Sequence, residues 1–219
     1  MPIASGILSV SPSMNQSHPT VIGIDVGGSG KGFHAVALHH GRFEPRHFNE
    51  AANLAHWCQE QDAQVITIDA PCAWASVGNS RLAERSLAIA GETIQCFKTP
   101  TRASAVGRAF YGWVFNGEKL YQTLSPHYRL FEGTSQHGKV VLETFPHAVV
   151  CSLAGQVVSA RPKSSTRRAM LRQHGYEDQS LANIDFVDAA LCALTAERFR
   201  LHRTRHFGDA KEGFIVVPA

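Results

Sequence analysis

The densest apolar run near the start of the chain, Val21-Ile22-Gly23-Ile24, ends on an acid, Asp25, followed by Val26 and the glycine-rich stretch Gly27-Gly28-Ser29-Gly30-Lys31-Gly32. Such density predicts a buried strand over 20–26. The glycines predict a tight turn, because glycine tolerates positive φ. Phe33 to His40 and Arg42 to Asn49 read as second and third strands. Two short reversals in succession make an antiparallel meander. Glu50 to Gln61, carrying Ala52, Leu54, Ala55 and Trp57, predicts a helix, and Gln64 to Asp69 a fourth strand stopped by Ala70-Pro71. A strand, a helix and a strand imply a crossover with parallel pairing.

Further on, Asn79 to Ala90 reads as a helix. Residues 99–131 are interrupted by Pro100, Gly107, Gly112, Gly117 and Pro126, and read as a partly helical insertion able to cover a site. Lys139 to Glu143 predicts a fifth strand, and Pro146 suits the first turn of the next helix. A basic helix follows from Pro162 to His174, then a last long helix from Asp185 to His202 and a short closing strand from Phe214 to Val217. The order βββαβ…β…α…α is that of the ribonuclease H fold. The expected class is α/β: a mixed five-stranded sheet in the order 3-2-1-4-5, flanked by helices.

At 219 residues and 44% hydrophobic content, the chain supports one sizeable core and is not a disordered polymer. The division expected is a loosely held tail over 1–19 and one domain over 20–219. The tail has no Lys or Arg and only a short apolar patch, unlike a secretory signal. No later run has the apolar length of a membrane span. Cys58, Cys72, Cys96, Cys151 and Cys192 are widely spaced with no C-x-x-C pair, which disfavours a zinc or disulfide framework and suits a reducing cytoplasm. The net charge of +3 permits a nucleic-acid partner without requiring one.

The candidate chemistry lies in acids at element ends. Asp25 closes the first strand, Asp69 the fourth and Glu143 the fifth, while Asp185 and Asp188 open the last helix. A carboxylate inside an apolar strand is costly unless paired or bound to a cation. In the expected sheet the first and fourth strands are neighbours about 4.8 Å apart, so Asp25 and Asp69 can share one ion. Asp185 and Asp188, three apart on a helix, face the same way. Such oxygen donors suit Mg²⁺ or Mn²⁺, and paired ions can activate water and stabilise the leaving oxygen in phosphodiester cleavage. Each acid also has a structural reading: Asp185 as a helix cap, Asp69 as turn chemistry, Glu143 as a salt-bridge partner of the nearby basic helix.

Basic residues offer phosphate contacts. Lys163, Arg167 and Arg168 lie on the basic helix, and Arg81 and Arg85 are four apart on the helix expected over 79–90. The competing reading is a solvated helix face. The glycine run fails as a P-loop because Gly32, not Ser or Thr, follows Lys31. It fails as a dinucleotide fingerprint because a strand rather than a helix follows.

Together, Gly23-Ile24-Asp25, Ile68-Asp69-Ala70-Pro71, Arg81 with Glu84-Arg85, Glu143-Thr144-Phe145-Pro146, Asp185-x-x-Asp188-Ala189-Ala190, and Gly208-Asp209 with Glu212-Gly213-Phe214-Ile215 resemble domain-of-unknown-function family 429. The resemblance runs from about Val21 to Pro218. It implies a predicted nuclease of the ribonuclease H-like superfamily, with Asp25, Asp69, Asp185 and Asp188 as metal ligands and Glu143 belonging to the family's own motif. The expected function is therefore a divalent-metal-dependent nuclease acting on DNA or RNA, with Asp25, Asp69, Glu143 and Asp188 catalytic. The alternatives are an actin-like ATPase or sugar kinase, whose first phosphate loop resembles Asp25 to Gly30, and a non-catalytic nucleic-acid-binding module of the same fold.

Overall fold

The computed structural model describes residues 19–28, 30–134 and 138–219. Residues 1–18 of the tail expected over 1–19, and Ser29 of the first turn, lie outside the described residues. In chain order the elements are β1 (Val21–Val26), β2 (Phe33–His39), β3 (Arg42–Phe48), α1 (Ala51–Glu60), β4 (Val65–Asp69) and α2 (Leu82–Ser86). Then come β5 (Ala88–Ile89), β6 (Glu92–Thr93), α3 (Arg102–Ala105), a short 3₁₀ turn (Ala109–Tyr111), α4 (Gly112–Leu124), β7 (Arg129–Leu130) and β8 (Val140–Glu143). The chain ends with α5 (Pro146–Ala154), α6 (Lys163–Gln173), α7 (Ile184–Arg200), β9 (Thr204–Asp209) and β10 (Gly213–Pro218).

The main sheet runs β3-β2-β1-β4-β8-β10-β9, with β7 beside β8. β2 is antiparallel to both β1 and β3, whereas β4 is parallel to β1 and β8 parallel to β4. Its first five strands thus have the expected order 3-2-1-4-5 and directions, and the fold is ribonuclease H-like. The sheet is wider than expected. β9, where the sequence reads as a surface run of His and Arg, forms an edge hairpin with β10. Its side chains are half-buried or exposed, so no apolar alternation marked it.

The helix expected over 79–90 is also shorter. After Ser86 the chain extends and reverses through Ala90 and Gly91, both at positive φ, into the β5–β6 hairpin. Leu87 and Ile89 are buried with Ala88 less so, a two-residue period that suits extended chain.

Strand parity sorts the core into two layers. Val21, Val36, Leu38, Val65, Val140 and Leu142 pack against α5, α6 and α7. Ile22, Ile24, Ala35, Ala37, Ile66, Ile68 and Val141 face the opposite way, against α1 and α4. No helix among the described residues is long and apolar enough to cross a membrane.

Helix α7 is buried continuously from Val187 to Ala196 and rich in alanine, and it lies directly on β1. A Cβ added at Gly23 would stand 2.0 Å from the Ala189 carbonyl oxygen and 2.1 Å from the Ala193 nitrogen. Only glycine admits so close an approach. Beside it, the Thr67 hydroxyl of β4 donates to the Cys192 carbonyl at 2.5 Å, fixing α7 over the second parallel strand. Gly23→Ala must push α7 off the sheet and should cost at least about 2 kcal/mol, read from the urea midpoint. An unchanged midpoint would show that α7 can shift without loss.

Candidate metal centre

Because β1, β4 and β8 are parallel, their C-terminal ends share one edge of the sheet. Asp25 and Asp69 are direct partners in the β1–β4 register. By parity with Val21, Gly23 and Val65, both face α7. That helix begins at the same edge, capped by Asn183, whose side-chain oxygen accepts from the Phe186 N–H at 3.0 Å. The capping role therefore falls to Asn183 and leaves Asp185 free in the first turn. Carboxylate oxygens of Asp25, Asp69 and Asp188 lie within 4.8 Å of one another. Ligand atoms of Asp25, Asp185 and His34 form a second such group, so Asp25 belongs to both.

Crowding shows in the acidities. Burial, then the charges of Asp188 and Asp185, raise the Asp25 carboxyl to about 7. Burial, followed by Asp25 and Asp188, pushes Asp69 well above the carboxylate range. Cations offset only part of this. Lys163 Nζ stands 2.8 Å from Asp188, Arg167 donates to the other oxygen of the same carboxylate, and Lys31 lies 3.4 Å from Asp185. The donor set fits a hard divalent cation: oxygen ligands at bridging separation, with negative charge left uncompensated. A cavity of about 590 Å³ lies at the other end of β4 and β8, lined by Val65, Phe131 and His206, away from these acids.

Glu143 is not brought into the cluster. In the β4–β8 register it pairs with Ile68, one step short of Asp69, so it points to the opposite face. There it is 4% exposed and accepts two bonds from Arg81, at 2.7 and 2.6 Å, and one from the Cys72 N–H at 2.8 Å.

Several expected phosphate contacts have other work. Arg81, only 1% exposed, spends four of its five guanidinium N–H donors on Glu143, Glu84 and the Glu212 carbonyl, and its burial keeps it from a substrate backbone. Arg168 donates to the Asp178 and Leu181 carbonyls at 3.0 and 2.6 Å and to the Asp178 carboxylate, holding the loop before α7. Arg85 is exposed on α2 and donates to the Ser80 carbonyl. Lys163 and Arg167 do adjoin the cluster, but as partners of Asp188. Lys163 is the more open of the two, with its side chain 48% exposed.

His34 was not singled out from the sequence. On β2 it lies opposite Asp25, and burial holds its imidazole below the usual range. Counting back from the turn, with Val26 facing Phe33, would have found it.

A ribonuclease H-like sheet carrying clustered acids at the ends of β1 and β4 and at the start of α7 is the class this architecture defines. The chain belongs to the family described as protein of unknown function (DUF429), whose profile matches residues 23–212. No curated protein matches the sequence. Among solved structures, Thermus thermophilus RuvC matches at 15% identity and a TM-score of 0.41, over 84% of this chain and 96% of that one.

Two expectations follow. Asp25 binds its proton more tightly folded, near 7, than at its ordinary 3.8, so metal-free stability should fall as pH rises between those values. Asp25→Asn should remove the Asp25 share of that fall, leaving the part that belongs to Asp69, and add about 1–3 kcal/mol near pH 8, measured by urea unfolding in chelator. Arg81→Met strands a buried carboxylate and should cost about 3–5 kcal/mol. Full stability with weakened nucleic-acid binding would instead make Arg81 a substrate contact.

Proposed function

We propose that the chain is a divalent-metal-dependent nuclease that hydrolyses phosphodiester bonds of DNA or RNA, using the two-metal carboxylate chemistry expected from its acids. The observation that carries this is the convergence of Asp25, Asp69 and Asp188 within 4.8 Å from two parallel strands and one helix. Asp25, Asp69 and Asp188 would hold Mg²⁺ or Mn²⁺, with Asp185 at the rim. A cation bound there supplies the positive charge that activates water and stabilises the leaving oxygen.

The chain's own residues do the rest. Rigid strands and the packed helix fix the carboxylates, so little reorganisation accompanies binding. Lys163, with its side chain half-exposed, would be the residue to meet a substrate phosphate beside the cluster, while the buried Arg167 would hold Asp188 in place. Glu143 serves this site at a distance by anchoring Arg81 and the Cys72 backbone just after Asp69. In this reading residues 20–219 are one domain, with 99–131 covering the site. Asn116 of α4 donates to the Gly27 carbonyl at 2.9 Å, which ties this segment to the turn after β1. The five free thiols suit a cytoplasmic enzyme.

The test is a substrate panel of single-stranded, duplex and branched DNA and RNA, incubated with Mg²⁺, Mn²⁺ or chelator. Metal-dependent cleavage should appear on at least one substrate and fall by about 100-fold or more in Asp25→Asn, with circular dichroism unchanged. Equal cleavage by the folded variant, or none by the wild type, would overturn the reading.

A further inference from the structure

We infer that the cluster contains two chemically distinct cation positions, and that His34 is the nitrogen ligand of the second. The first position is all oxygen: Asp25, Asp69 and Asp188. The second is Asp25, Asp185 and His34, whose ligand atoms also lie within 4.8 Å of one another. The inference rests on the nuclease reading for its use alone, because the binding it describes needs no cleavage.

His34 itself points to a ligand. It is 8% exposed, and its Nδ1 has no hydrogen-bond partner. Its Nε2 stands 4.0 Å from the Asp185 carboxylate, beyond hydrogen-bond reach. Leaving a buried polar atom unsatisfied costs about 1–3 kcal/mol, so an imidazole kept in this state is unusual without a function. The ring is also held in orientation. Its centroid lies 4.8 Å from both His47 and Phe186, each met at a steep angle, and His47 is itself bonded to the Lys31 carbonyl at 2.8 Å.

The charges around this position allow an ion to enter. Lys31, 3.4 Å from Asp185, has a side chain 67% exposed and can swing into solvent. Lys163 and Arg167 engage Asp188 in the other group. The β1–β2 register makes the geometry durable, since Asp25 and His34 face each other across a ladder rather than meeting through a loop.

A nitrogen donor changes which ion is preferred. Mg²⁺ favours oxygen and sheds water reluctantly, whereas first-row transition ions accept imidazole nitrogen more readily, Mn²⁺ least among them but more than Mg²⁺. The first position should therefore accept either ion, and the second should take Mn²⁺ in preference to Mg²⁺.

The experiment titrates the full chain with Mn²⁺ alone, following heat by calorimetry and free Mn²⁺ by electron paramagnetic resonance. The wild type should bind two ions, and excess Mg²⁺ should displace only one. His34→Ala should weaken the second site about tenfold or more while the first is retained. Should His34→Ala fail to fold, His34→Gln replaces it, and anomalous scattering from Mn²⁺-soaked wild-type crystals must show an ion at coordination distance from the His34 ring. Equal stoichiometry and affinity in wild type and folded variant, or no ion beside His34, would overturn the inference. Two bound ions without cleavage of any nucleic acid would uphold it and overturn the nuclease reading instead.

Discussion

The contact between the α7 backbone and β1 at Gly23 governs the arrangement of everything around it. Without a Cβ there, Ala189 and Ala193 settle onto the strand at distances no other residue admits. Two residues along β1 is Asp25, and one position before Ala189 is Asp188. The close approach that completes the core therefore also forces carboxylates together. Packing supplies the force: Val187, Leu191 and Leu194 of α7 are wholly buried in one core with Val21, Val36 and Val65 of the sheet. Each such side chain contributes about 1.5–3 kcal/mol relative to exposure. Together they outweigh the penalty carried by Asp25, which at about 1.4 kcal/mol per pKa unit is close to the worth of two of them.

Two kinds of buried charge divide the protein. Around Asp25 and Asp69 the acids outnumber the bases, and protons are held tightly as a result. Around Arg81 the carboxylates are instead satisfied by hydrogen bonds: Glu143 and Glu84 take the guanidinium, and Glu212 takes the Ser76 and Leu82 amides. This second network pins the long connection between β4 and α4, whose own elements are all short. The family motif thus mixes residues of two purposes, and only their partners tell them apart.

Much of this was legible in the chain. Apolar runs ended by glycine or proline marked β1, β2, β4 and β8, the short reversal after β2 implied β3, and the meander followed by a crossover gave the order of these five strands. Asp25 stood out because an acid in an apolar strand needs a reason. What was not legible turned on parity and partners. Glu143 ends its strand as Asp69 does, yet a one-residue offset in register sends it to the other face. Arg81 and Arg168 look like surface bases until burial and carbonyl partners are seen. β9 carries no alternation because its side chains stay largely outside the core, and His34 enters only once the hairpin is counted residue by residue.

The late position of α7 has a consequence in time. Asp188 follows Asp69 by 119 residues, so both strand acids leave the ribosome well before their helical partner. Until α7 docks, the Asp25–Asp69 pair faces water rather than Asp188, and no third oxygen ligand is in place. The docking that buries the core and the step that completes the cation site are one event, so a half-made chain cannot hold a finished centre.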